Sequence, residues 1–107
     1  MRRVVVTGLG TINPLGNTVE SSWAALLNAQ SGITQISKFN VEGYPCTIAG
    51  NIKDTFINDQ IVSQREQRKI DRFIALGLLA AHEALEDSGF KANEETSLRS
   101  GVMVGSG

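Results

Sequence analysis

Arg65, Arg68, Lys69 and Arg72 are spaced i, i+3, i+4 and i+7, which gathers four cations on one face of a helix. Glu66 and Asp71 fall on other faces of such a helix and neutralise the stripe poorly. Read plainly, this is a solvated helix face. Read functionally, it is a dock for an acidic partner, where like-signed charge speeds encounter and sets orientation. The net charge of the chain is only -1, so whatever the stripe recognises is recognised locally, and global attraction to nucleic acid is not expected.

The other reactive residue types form no comparable constellation. Cys46 is the single cysteine, and it lies between Pro45 and Thr47 with no histidine near it in sequence. A nucleophilic thiol needs a positive surrounding or a neighbouring base, so Cys46 reads as a small, half-buried strand residue. His82 is the only histidine, and one histidine cannot form a metal cluster. Asp59, Glu66, Asp71, Glu83, Glu86 and Asp87 make no acid/base pair and read as helix-surface charges. Glu86 and Asp87 stand near a helix C-terminus, where negative charge opposes the dipole.

Gly8 and Gly10 follow the β-branched run Val4, Val5, Val6, which suggests a dinucleotide fingerprint. That fingerprint needs a third glycine at position 13, opening a helix that holds the pyrophosphate. Asn13 stands there, and Pro14 after it pushes its backbone away from helical angles. Glu20 falls inside a helical pattern instead of ending a second strand. The pattern is a strand running into a loop, with backbone freedom at the two glycines.

The elements that position these residues read as an α/β chain. Val4–Val6 predicts a strand of a parallel sheet, covered on both faces. A helix is predicted over Thr18–Ala29, capped by Asn17 with Glu20 completing a capping box, and stopped at Gly32. Val19, Trp23, Leu26 and Leu27 share its apolar face. Residues 33–44 read as irregular, Pro45–Ile52 as a short strand, and Phe56–Val62 as a helical turn. A long helix is predicted over Gln64–Ser88, with Ile70, Phe73, Ile74, Gly77, Ala81, Ala84 and Leu85 on one side. Gly89 ends it and Phe90 folds back on the cap. Its middle, Ile74 to Ala81, is apolar all round and must be covered on more than one side. Gly101–Val104 predicts a second buried strand leading into a glycine turn.

With 107 residues the chain is at most one domain. A hydrophobic share of 41% and a charged share of 20% exclude a disordered chain. Nothing reaches the ~20 apolar residues of a membrane span, and the run after Arg2 and Arg3 stops at Gly8, too short for a signal core. One cysteine excludes an internal disulfide framework and fits a reducing compartment, so a cytoplasmic protein is expected.

Five segments carry a resemblance: RRVVVTGLG (Arg2 to Gly10), PLGNTVESSWAALLNAQSGI (Pro14 to Ile33), REQRKIDRF (Arg65 to Phe73), ALEDSG (Ala84 to Gly89) and GVMVGSG (Gly101 to Gly107). In this order and spacing the chain closely resembles the start of the β-ketoacyl-acyl carrier protein synthases, above all the elongating type II enzymes. The resemblance implies a thiolase-like fold, two similar α/β halves in αβαβα layers, assembled as a homodimer. Residues 1–107 would then be an incomplete opening part of the N-terminal half. The family condenses an acyl chain with malonyl units carried on the phosphopantetheine arm of acyl carrier protein. An active-site cysteine takes the acyl group, malonyl-carrier protein loses carbon dioxide, and the carbanion attacks the thioester. Two histidines and backbone amides stabilise the developing negative charge.

The resemblance places that cysteine and those histidines beyond Gly107, so no catalytic role falls on Cys46 or His82. It implies no bound cofactor and no metal. What it does carry over is a carrier-protein dock at Arg65, Arg68 and Lys69, with Arg72 matching less securely. Gly105, Ser106 and Gly107 correspond to the turn approaching the loop that gates the acyl pocket. Neither a nucleic-acid nor a membrane partner is expected. Two rivals remain within the family, a polyketide ketosynthase and a non-catalytic chain-length partner, and the residue at the nucleophile position separates them. A stand-alone carrier-binding module is the rival of another class, opposed by the apolar surface that Ile74 to Ala81 would expose.

Overall fold

A computed structural model describes residues 1–106 of the chain. Helix α1 spans Val19–Leu27, and the Thr18 hydroxyl caps it, accepting from the Ser21 N–H while the Ser21 hydroxyl accepts from the Thr18 N–H. The capping box is therefore Thr18 and Ser21, and the expected pair Asn17 and Glu20 takes no part in it. The helix also stops earlier than Gly32. Ala29 turns left-handed at φ 53, the Gln30 N–H reaches the Ala25 carbonyl at 2.9 Å, and the Ala29 N–H reaches the Leu26 carbonyl at 3.0 Å. These bonds satisfy two orphan carbonyls and offset a left-handed alanine's cost of about 1–2 kcal/mol.

Two short strands follow, β1 over Ile33–Gln35 and β2 over Ile48–Gly50, paired antiparallel with Thr34 opposite Ala49. β2 lies inside the predicted Pro45–Ile52 strand, while β1 lies in a segment read as irregular. A 3₁₀ turn covers Asp54–Phe56, and the turn predicted within Phe56–Val62 is present, the Ile61 and Val62 N–H groups both reaching the Asn58 carbonyl at 3.0 Å. The expected long helix is two elements: α2 over Gln64–Gln67 and α3 over Arg72–Ser88. Asp71, extended at ψ 150, is the N-cap of α3 and breaks the continuity, and Ile70 packs on the hydrophobic core at the break. Gly89 ends α3 at φ 63, as its sequence predicts. A further short helix, α4, spans Glu94–Ser97.

The core is small. Val62, Ala75 and Leu79 are buried together, with Ile12, Ile57, Ile61 and Ile70 packed against them. α3 thus turns Ala75 and Leu79 inward, while Phe73, Ile74 and Leu85 of the expected face are 39–54% exposed. On α1 the inward residues are Ser22 and Ala25, and Trp23, Leu26 and Leu27 point out. The chain leaves about 9099 Å² accessible, against about 5,800 Å² expected for its mass. Its radius of gyration is 17.0 Å, against about 13 Å for a closed domain of this length.

Neither Val4–Val6 nor Gly101–Val104 joins a sheet, and both stay exposed. The only sheet among the described residues is the β1–β2 pair, which is antiparallel. A parallel strand buried on both faces needs neighbours and covering helices on each side, and the described residues supply too few. Val4, Val5 and Val102 instead line one cleft with Leu85 and Phe90.

The N-terminal segment is held to α3 by carboxylates. Glu83 accepts from the Thr11 N–H and from the Val19 N–H, each at 2.8 Å, and Asp87 accepts from the Leu9 N–H at 2.9 Å. Val19 is the first residue of α1, so Glu83 satisfies an orphan donor at a helix N-terminus. Gly8 and Gly10 make the approach possible. A Cβ on Gly10 would meet the Ala80 carbonyl oxygen at 1.9 Å, and one on Gly8 would meet that of Ala84 at 2.4 Å. Their φ angles are not positive, so close approach, and not turn geometry, is what requires glycine there. Removing the carboxylate with Glu83→Ala is expected to cost about 2–3 kcal/mol, and Glu83→Gln, which keeps one acceptor, less than that. Urea midpoints of the protein carrying each change measure this, and equal midpoints would refute the clamp.

Candidate functional site

Helix α2 is only four residues long, and its geometry comes from its cap. The Ser63 hydroxyl accepts from the Glu66 N–H, while the Glu66 carboxylate accepts from the Ser63 hydroxyl at 2.7 Å and its N–H at 2.9 Å. Gln64 and Gln67 both donate to Asp59, at 2.7 and 2.8 Å, and Gln67 also reaches the Val62 carbonyl. The helix is thereby tied to the buried Val62. Arg65 lies within it, Arg68 is its C-cap residue, and Lys69 occupies the turn that follows.

All three cations are exposed, and none makes an ion pair among the described residues. The structure therefore brings Arg65, Arg68 and Lys69 into one short, rigidly capped segment. Glu66, which was expected to face elsewhere, spends its carboxylate on the cap, with Lys69 close enough to stabilise its charge.

Arg72 behaves differently from its three neighbours. It sits on α3, beyond the break, and its guanidinium donates to the Asp54 carboxylate and to the Ile52 carbonyl at 2.7 Å. Its charge is used inside the molecule, so the four-residue stripe is a three-residue cluster plus an anchor. Asp54 also meets Lys38 at 3.5 Å. The Arg72 hydrogen bond, then the Arg72 and Lys38 charges, hold the Asp54 carboxyl below its ordinary range.

The remaining candidates stay apart from this cluster. Cys46 precedes β2 and is exposed, not a half-buried mid-strand residue, and its thiol donates to the Ile48 carbonyl at 3.3 Å. His82 is exposed on α3, as expected of a surface histidine. Among the described residues no His, Cys, Asp or Glu group could hold a metal ion. Gly105 and Ser106 are exposed and belong to no helix or strand, and Gly107 lies outside the described residues. Glu83 and Asp87, read as surface charges, are the clamp described above. Their i, i+4 spacing on a helix opposite a glycine pair was the available signal. No described helix is long and apolar enough to cross a membrane.

The sequence profile of the β-ketoacyl synthase N-terminal domain matches residues 1–107. The chain belongs to the β-ketoacyl synthase family. It is 51% identical over 106 residues to the 3-oxoacyl-[acyl-carrier-protein] synthase 2 of Vibrio cholerae serotype O1, covering 99% of this chain and 25% of that protein. The synthases of the same name from Vibrio harveyi and Coxiella burnetii are 49% and 42% identical, with the same coverage. The chain thus spans about a quarter of the length of the curated relatives it matches. The α/β character is in keeping with this family.

The Ser63 hydrogen bonds lower the Glu66 carboxyl below its ordinary value of 4.5. A depressed carboxyl stabilises the fold above its unfolded value and loses that contribution as pH falls through the folded one. The α2 cap is thus at full strength above pH 4.5 and weakens as pH falls through the lower folded-state value. A carboxyl-detected NMR titration is expected to show Glu66 titrating below 4.5, and returning toward 4.5 in Ser63→Ala. Identical titrations in both proteins would contradict the cap.

Proposed function

We propose that the protein containing this chain is a 3-oxoacyl-[acyl carrier protein] synthase of fatty-acid biosynthesis. It joins an acyl chain to a malonyl unit with loss of carbon dioxide, works as a cytoplasmic homodimer, and has the thiolase-like layered fold. The observation that carries this reading is the identity of up to 51%, spread over nearly the whole chain, to proteins named for that activity. Every relative compared above bears the name 3-oxoacyl-[acyl-carrier-protein] synthase 2 and none is named a polyketide synthase, which favours this reading over a polyketide ketosynthase.

The role of residues 1–107 is to recognise the carrier and support the catalytic layers. Arg65, Arg68 and Lys69 offer an unpaired cationic edge to an acidic helix of acyl carrier protein. Charges on such a rim set orientation and association rate more than raw affinity. The nucleophilic cysteine and the two histidines belong to the remainder of the protein. Cys46 is an unsuitable nucleophile, because its hydrogen-bond partner is a carbonyl acceptor and not a base. Gly105, Ser106 and Gly107 lead toward the acyl-pocket gate. No resident cofactor is required, since the acyl groups arrive on the carrier's phosphopantetheine arm. The 21 large hydrophobic side chains left exposed are surfaces for the other layers and the second subunit, which argues against a stand-alone carrier-binding module.

Two measurements test this. The 107-residue chain alone, given malonyl- and acyl-carrier protein, is expected to form no 3-oxoacyl product, and any turnover would refute the assignment of catalysis to the remainder. In the full-length enzyme, Arg68→Glu with Lys69→Glu is expected to raise KM for carrier-linked substrates about tenfold, leaving small thioester substrates unaffected. Unchanged carrier-linked kinetics would make the cluster a solvated surface only.

A further inference from the structure

Arg72 holds the loop before the 3₁₀ turn at two points, the Ile52 carbonyl and the Asp54 carboxylate. Lys53 is the residue between those two points. Its backbone is therefore clamped on both sides by one guanidinium, and a planar fork fixes orientation better than a point charge. The clamp begins three residues after Lys69, so it ties Lys53 to the segment carrying the cationic cluster.

Charge accounting around Asp54 then separates the nearby cations. Lys38 and Arg72 share the Asp54 carboxylate. Lys53 is exposed, has no carboxylate partner among the described residues, and places its ammonium over the Phe56 ring at 5.6 Å. That contact restrains the long side chain without neutralising it. Two surface depressions meet at Asp54: one is lined by Lys38 and Lys53, the other by Asp59, Gln67 and Arg68. Lys53 thus stands across the Asp54 ridge from Arg68.

We infer that Lys53 is a fourth docking cation for the same acidic helix of the carrier protein, extending the Arg65, Arg68 and Lys69 cluster over the Asp54 ridge. The inference rests on the carrier-docking reading above. Arg72 is the positioning residue that holds it in register with the cluster. Two cationic points separated by a ridge constrain the direction of a bound helix, which a single compact cluster does not.

The test uses the full-length enzyme, carrier-linked and small thioester substrates, and a range of salt concentrations. Lys53→Glu is expected to raise KM for carrier-linked substrates roughly fivefold and to weaken its salt dependence, with small-thioester kinetics unchanged. Lys38→Gln, already paired to Asp54, is expected to change KM less than Lys53→Gln. If Arg68→Glu with Lys69→Glu raises the carrier KM and Lys53→Glu does not, the extension falls and the docking reading stands. If neither change moves it, both fall. An equal loss on both substrate types from Lys53→Glu would make Lys53 a structural residue and overturn the inference.

Discussion

The path of the chain as far as α1 depends on how the N-terminal segment lies along α3. That placement is made by carboxylates accepting backbone N–H groups, with Ile12 packed on the Ala75 and Leu79 side of α3. Glu83 is bonded at once to the Thr11 N–H and to the first N–H of α1, so one side chain sets both the path of the segment and the position of the helix after it. Charged acceptors on backbone donors are among the stronger protein hydrogen bonds. They act here because glycines at 8 and 10 let two backbones come close. Asn13 continues the path. Its side-chain oxygen takes the Leu15 and Gly16 N–H groups, and its amide donates to Thr11 and the buried Ser22.

The same constraint explains why local sequence signals were read well and long-range ones poorly. Gly89 ends α3 where a left-handed residue was expected, and β2 falls inside its predicted segment. These are decided by neighbours in sequence. The missed features are decided by distant partners or by competition between adjacent caps. Thr18 outcompeted Asn17 because Ser21 returned its hydrogen bond. Asp71, extended in backbone and making no side-chain cap bond, interrupts what periodicity alone reads as one helix, and with it the four-residue stripe. Glu83 reads as a surface charge, and Asp87 as misplaced near a helix C-terminus, because their backbone partners lie more than 60 residues away.

The unformed strands belong to the same division between local and distant. A helix satisfies its backbone internally, whereas a strand satisfies it only against a neighbour. α1 and α3 are therefore complete, while the strongly β-forming Val4–Val6 and Val102–Val104 are not. The outward apolar faces of α1 and α3 follow the same logic. Trp23, Leu26, Phe73 and Leu85 are spaced for burial, and the described residues offer them no cover. Family membership supplies the context: the matched relatives are about four times as long as this chain, since it covers 25% of them.

The cationic cluster is the exception, because it is finished within these residues. Six of the ten basic side chains lie between Lys38 and Arg72, while Glu83, Glu86, Asp87, Glu94 and Glu95 make the C-terminal third acidic. A net charge of -1 therefore conceals a separation of sign along the chain. Within the basic region the acidic residues are mostly committed elsewhere. Asp54 pairs with Arg72 and Lys38, Glu66 closes a cap, and Asp59 takes two glutamine amides. Each carboxylate so occupied stiffens the backbone that presents the cations and, among the described residues, leaves Arg65, Arg68 and Lys69 free of ion pairs. A surface cation on a mobile segment loses side-chain and backbone entropy when it binds, and one on a capped turn has already lost part of it. The short helix, its reciprocal cap and the Arg72 anchor thus act together, presenting positive charge on an already ordered surface.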